Sequence, residues 1–150
     1  MSVSAQRNDF QLLRTLWRVA ASTTREIDAS CQEATECSLP QVLVLRTLAA
    51  ISDQEGTLSV SDIARAVGCT KANAGQLATK LEESGRVKRL TGGVDARYAS
   101  LRVTAKGRAT YASAADAVAD DAKRIFKKLN AEEKQQLLAL LQKLTSPSPL

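Results

Sequence analysis

Ser59-Val-Ser-Asp-Ile-Ala-Arg-Ala-Val-Gly68, then Cys69, then Thr70-Lys-Ala-Asn-Ala-Gly-Gln-Leu-Ala-Thr-Lys-Leu-Glu-Glu-Ser-Gly85, is the stretch whose reading decides the fold. Ser59 is a helix cap, and Asp62 follows at a first-turn position that the helix dipole favours. Ile63, Ala64 and Val67 fall on one side, and Gly68 stops the helix. Thr70 is a second cap. Behind it Ala74, Leu77, Ala78 and Leu81 repeat at steps of three and four, up to Gly85. Two short helices across the turn Gly68-Cys69 form a helix-turn-helix pattern.

Downstream the period changes from three or four to two. Arg86-Val-Lys-Arg-Leu-Thr91 alternates, Gly92-Gly93 signals a turn, and Arg97-Tyr-Ala-Ser-Leu-Arg-Val103 alternates again. This predicts a β-hairpin, the wing of a winged helix. Upstream, Gly56 breaks the pattern and Thr57-Leu58-Ser59 reads as a short strand. Before it, Leu39-Pro40 opens a helix with Val42, Leu45, Leu48, Ala49 and Ile51 buried. Further out, Phe10, Leu13, Trp17, Ala20, Thr24, Ile27, Cys31 and Ala34 stripe a helix of about 25 residues. Thr104 caps a helix striped by Tyr111, Ala115, Val118, Ala122, Ile125, Phe126 and Leu129. Asn130 begins a last one, with Leu137, Leu140, Leu141 and Leu144. The tail Ser146-Pro-Ser-Pro-Leu150 is expected to fray.

The expected fold class is mainly α with a small β wing: a winged helix-turn-helix with a helical dimerisation region. One domain spans 1–150, with the winged helix at about 39–103 and dimerisation helices at about 6–35 and 105–145. The terminal stripes exceed what three short helices and a hairpin can cover. Phe10, Leu13, Trp17, Leu137, Leu141 and Leu144 are therefore expected at a twofold homodimer interface.

Charge falls on the same elements. From Arg65 to Arg108 there are ten basic and three acidic residues, a local +7 in a chain of net +5. A cationic helix-turn-helix and hairpin fit a polyanion. Thr70, Lys71, Asn73, Gln76 and Lys80 lie on the second helix. There Asn and Gln suit adenine, Lys suits guanine, and Thr or the first-turn amides suit phosphate. Arg86, Lys88 and Arg89 are expected at phosphates. Asp95 can orient Arg97 toward a narrow minor groove. Gly75 either permits a close approach or is neutral. The rival reading is a winged-helix protein–protein module without specific DNA binding.

Catalysis finds no support. Histidine is absent, and the three cysteines have no metal spacing. No P-loop or nucleophile elbow occurs, and Asp120-Asp121 and Glu132-Glu133 read as solvated faces. No cofactor or metal is expected. No apolar run is long enough for a membrane helix and no signal core opens the chain, so a cytoplasmic protein with reduced thiols is expected.

The stretches Ser59 to Asn73, Leu77 to Gly85 and Val94 to Arg108 resemble the MarR family of bacterial transcriptional regulators. Asp95-x-Arg97 followed by Leu101-x-Val-Thr-x-x-Gly107 carries the sharpest likeness. The resemblance implies a winged-helix homodimer on a pseudo-palindromic double-stranded operator, a repressor relieved by a small-molecule or redox signal. It places Thr70, Lys71, Asn73 and Gln76 in the recognition helix and Arg97 in the wing. Ala74, Gly75 and Ala78 are smaller than is usual in the family, and Gly93-Val94 replaces a polar tip. Some members sense oxidants through cysteine, and many bind small aromatic anions between the two regions. Here Cys31 and Cys37 are the thiols for a redox role, with Cys37 the more exposed, while Cys69 packs inward. A ligand carboxylate would need Arg, Lys, Ser, Thr or backbone donors.

Overall fold

The computed structural model describes residues 3–52, 56–90 and 100–144. Its elements are α1 (Val3–Thr35), α2 (Leu39–Ser52), β1 (Leu58–Ser59), α3 (Val60–Val67), α4 (Lys71–Glu83), β2 (Val87–Leu90), β3 (Ser100–Val103), α5 (Ala105–Ile125) and α6 (Ala131–Leu144). The hairpin tip with Asp95, Arg97, Gly92 and Gly93, and the tail from Thr145, lie outside the described residues.

The helix-turn-helix forms for the local reasons its sequence carries. The Ser59 hydroxyl accepts from the Asp62 amide at 3.1 Å, and the Asp62 carboxylate accepts from the Ser59 amide at 3.3 Å. That reciprocal capping box starts α3. Gly68 ends it in the left-handed region at φ 75°, and the Gly68 and Cys69 amides both donate to the Ala64 carbonyl. The Thr70 hydroxyl then accepts from the Asn73 amide at 3.2 Å and starts α4.

The core lies under these helices. Val44, Leu45 and Leu48 from α2, Ile63 from α3, Leu81 from α4 and Leu101 from β3 are fully buried. The sheet order is β1-β3-β2, all antiparallel. Leu58 pairs with Leu101, and Val87 with Val103. Side chains alternate across the sheet, so Val87, Leu101 and Val103 face the core while Lys88 and Arg102 point outward as cross-strand neighbours.

Thr104 joins the wing to α5. Its hydroxyl donates to the Gly85 carbonyl at 2.8 Å and accepts from the Gly107 amide at 3.1 Å, capping α5. A side chain at Gly107 would run into the Arg86 carbonyl and Val103. The Thr-x-x-Gly spacing is thus a cap followed by a close approach of backbone to backbone.

Several expectations need correction. α1 runs 33 residues, and Thr24 and Ala34 of its expected stripe are exposed. On α5 the buried positions are Gly107, Ala114 and Asp121, with Tyr111 and Val118 half-buried; Phe126 is outside the helix and exposed. Asp121 was expected in solvent but is 3% exposed. It lies on the α5 side facing α1, where Arg124 holds its Oδ1 at 2.6 Å and leaves Oδ2 without a partner among the described residues. Its neighbour Asp120 is exposed and paired with Lys123.

The two ends behave differently from the middle. Every side chain from Arg7 to Ser22 is exposed, including Phe10, Leu12, Leu13, Leu16, Trp17 and Val19. α6 is started by Asn130, whose side chain accepts from the Glu133 amide at 2.9 Å, yet it buries none of its residues. Leu138, Leu140, Leu141 and Leu144 are exposed, and Leu137 is half-buried. Among the described residues no helix is long and apolar enough to cross a membrane.

Candidate nucleic-acid interface

α4 turns Ala74, Ala78 and Leu81 into the core. Its other sides present Ala72, Asn73, Gln76, Thr79 and Lys80 to solvent, and Lys71 is exposed as its first residue. Thr70 sits at the start of this helix with its hydroxyl already accepting from Asn73, which leaves its O–H to donate to a phosphate. The cap Thr70 and the four α4 residues expected at DNA, Lys71, Asn73, Gln76 and Lys80, are all exposed. Gly75 is half-buried, and a Cβ there would meet only Val60 Cγ1, at 4.0 Å. Among the described residues nothing requires glycine there, although glycine costs a helix about 1 kcal/mol relative to alanine.

The hairpin cations divide into two kinds. Lys88 points outward on β2 opposite Arg102. Arg89 is held otherwise: its Nε donates to Glu82 Oε2 of α4 at 3.1 Å. Arg86 departs furthest from its expected place at a phosphate. Its Nε donates to Thr110 Oγ1 at 3.2 Å and its Nη2 to the Thr35 carbonyl at 3.0 Å. Arg86 therefore ties the base of β2 to the end of α1 and the first turns of α5. Sequence reasoning missed this because both partners are remote in the chain; the acceptors are neutral and carry no charge pattern.

Beside Arg86 opens a groove of about 480 Å³ lined by Glu33, Thr35, Glu36, Lys106, Thr110 and Ser113. Lys106 donates to the Ser84 carbonyl at 2.8 Å. Neither Arg86 nor Lys106 has a carboxylate partner among the described residues. Glu36 at the groove edge has φ 60°, a left-handed conformation at the position after α1 where glycine is usual.

The cysteines correct a further expectation. Cys37 is 1% exposed and Cys31 fully buried, while Cys69 in the turn is half-buried. Burial pushes the Cys31 thiol up, and the carboxylates of Asp28 and Asp121 push it in the same direction. A raised pKa and lost access both reduce thiolate reactivity. Asp28 has another task that periodicity did not reveal: its Oδ1 accepts from the Leu39 amide at 2.6 Å and so caps α2 from α1.

This arrangement defines a winged helix-turn-helix, with a capped, polar-faced second helix beside a cationic two-strand ladder. Residues 40–97 match the model of the MarR family, a family of winged-helix transcriptional regulators. It is 34% identical over 100 residues to the uncharacterized HTH-type transcriptional regulator YfiV of Bacillus subtilis. That alignment covers 67% of this chain and 60% of YfiV, so the chain spans under two thirds of that relative. The fold is similar to that of a mutant MarR from E. coli complexed with operator DNA, with TM-score 0.81 and 19% identity over 93% of this chain and 96% of that one. It is also similar to the Mycobacterium tuberculosis MarR family protein Rv2887 complexed with salicylic acid, with TM-score 0.66 and 28% identity over 87% and 93% of the two chains.

Proposed function

We propose that the protein is a cytoplasmic homodimeric regulator that binds a pseudo-palindromic double-stranded operator and represses transcription from it. The observation that carries this reading is the exposed face of α4. A capped helix start, Lys71, Lys80, Asn73 and Gln76 all lie outward beside the Lys88–Arg102 ladder. α4 enters the major groove, where Asn73 and Gln76 pair with base edges. Lys71, Lys80, Lys88 and the Thr70 hydroxyl meet phosphates. Arg97, with Asp95 orienting it, enters the adjacent minor groove. Arg86 and Arg89 act indirectly, by fixing the hairpin against α1, α4 and α5.

The exposed Phe10, Leu13 and Trp17 of α1 and Leu141 and Leu144 of α6, with half-buried Leu137, supply the dimer interface. A twofold pair sets half-sites about one helical turn apart, ~34–36 Å. A small aromatic acid that relieves repression fits the groove beside Arg86, with its carboxylate on Arg86, Lys106, Thr110 or Ser113. The buried positions of Cys31 and Cys37 favour this signal over an oxidant.

Selection of genomic fragments by the purified full chain tests the reading. The expected outcome is a recurring inverted repeat whose affinity falls steeply with salt. Arg97→Ala is expected to cost ~1–3 kcal/mol on that operator. A chain that retains no duplex in dilute buffer would leave the protein–protein module in its place.

A further inference from the structure

Charges of both signs line the groove beside Arg86, and they are sorted by element. Glu33 in the last turn of α1 and Glu36 just past it make one side anionic. Arg86 just before β2 and Lys106 of α5 make the other side cationic. Among the described residues no ion pair joins any of the four to another charge. Each also keeps hydrogen-bonding capacity. Arg86 spends its Nε on Thr110 and one Nη2 hydrogen on the Thr35 carbonyl, so both Nη1 hydrogens remain. Lys106 spends one of its three N–H bonds on the Ser84 carbonyl. The Glu33 and Glu36 carboxylates accept no hydrogen bond from a described residue. Glu36 keeps its carboxylate here at a backbone position, φ 60°, that glycine would fill without strain.

We propose that the groove takes a zwitterion: a small aromatic molecule with its carboxylate on Arg86 and Lys106 and an ammonium on Glu33 and Glu36. This deepens the effector reading above, on which it rests, by naming the second charge. At about 480 Å³ the groove is roughly 10 Å across, little more than the ~8 Å screening length at physiological ionic strength. A guest there feels all four charges. Two cations and two carboxylates sum to zero. A plain carboxylate gains from Arg86 and Lys106, but it brings a third negative charge into the same space. It also strips water from Glu33 and Glu36 and returns no partner to them. A zwitterion leaves the sum at zero and gives every charged group a charge-assisted hydrogen bond. Bound in this way, the guest ties the end of α1 to the base of the hairpin, the joint that Arg86 already spans.

Calorimetric titration of the full chain with matched probes is the test. Phenylalanine is set against 3-phenylpropanoate, and 4-(aminomethyl)benzoate against 4-methylbenzoate; within each pair only the ammonium is lost. In at least one pair the zwitterion is expected to bind about tenfold tighter, the effect of one hydrogen bond to a charged group. Glu36→Gly removes one carboxylate where glycine relaxes the backbone, so a loss of preference in it is not a loss of fold. With Glu33→Gln added, the two members of the pair are expected to bind equally. Lys106→Gln is expected to weaken both, which locates them in the groove. Equal wild-type affinity within both pairs overturns the proposal; weakening by Lys106→Gln then leaves the plain acid effector standing. A preference that survives in the Glu33→Gln, Glu36→Gly chain also overturns it. Absence of binding by all four probes at millimolar concentration removes the groove as an effector site, and the proposal with it.

Discussion

Leu39 to Val103 and the outer parts of α1 and α6 are built from similar helix-forming sequence, yet they stand in opposite relation to solvent. In the first region each short helix has its cap: Asp28 for α2, Ser59 for α3, Thr70 for α4. Among its described residues no large apolar side chain is exposed. In the second, α1 from Arg7 to Ser22 and α6 throughout bury nothing, while Phe10, Trp17 and Leu144 are 70%, 74% and 72% exposed. Apolar surface on that scale marks an interaction face. One region completes its own core, and the other leaves its apolar face open, the face proposed above to pair with a second copy.

Four substitutions test that contrast, taken from the largest effect down. Trp17→Glu is expected to cost about 2–4 kcal/mol of association. Light scattering at low micromolar concentration should then give the mass of one chain, with the circular dichroism of the winged helix retained. An unchanged dimer mass would place the interface elsewhere. Gly107→Ala strikes the self-contained region. The added methyl meets the Arg86 carbonyl, so denaturant melting should show a loss of about 1–3 kcal/mol.

Ser59→Ala removes half of a capping box and is expected to cost about 1 kcal/mol near neutral pH. Its hydroxyl, hydrogen-bonded to Asp62, is the first cause holding that carboxyl below the usual 3.8. A carboxyl lowered in the folded state stabilises above its unfolded pKa and loses that contribution as pH falls through the folded value. The stability gap between wild type and variant should therefore narrow as pH drops below 3.8, and a gap constant with pH would show that the hydroxyl acts without Asp62. The smallest effect is a gain. Glu36→Gly relieves a left-handed non-glycine residue and should raise stability by about 1 kcal/mol.

Much of the architecture was legible because it is local. The caps Ser59 and Thr70, the stop at Gly68 and the change of period at Arg86 each involve residues within four of one another, and the structure has them where the pattern puts them. The exposed face of α4 follows from the same spacing. The failures come from contacts across the chain. Arg86 looked like a phosphate ligand because charge was the visible property, and its neutral acceptors at Thr35 and Thr110 left no trace in composition. Asp121 looked solvated beside Asp120, but α1 covers one and not the other. Cys37 looked like a loop thiol, whereas the bend from α1 to α2 folds it into the core.

Arg86 reaches the two helices α1 and α5, while its own backbone begins the hairpin. One guanidinium is therefore a hinge pin with three leaves. Any sliding of α1 along α5 carries the base of the hairpin with it, and in the dimer proposed above it would alter the pitch at which two copies straddle a helix of DNA. An effector lodged beside that pin would need to move it only slightly for the two halves to fall out of step with the duplex.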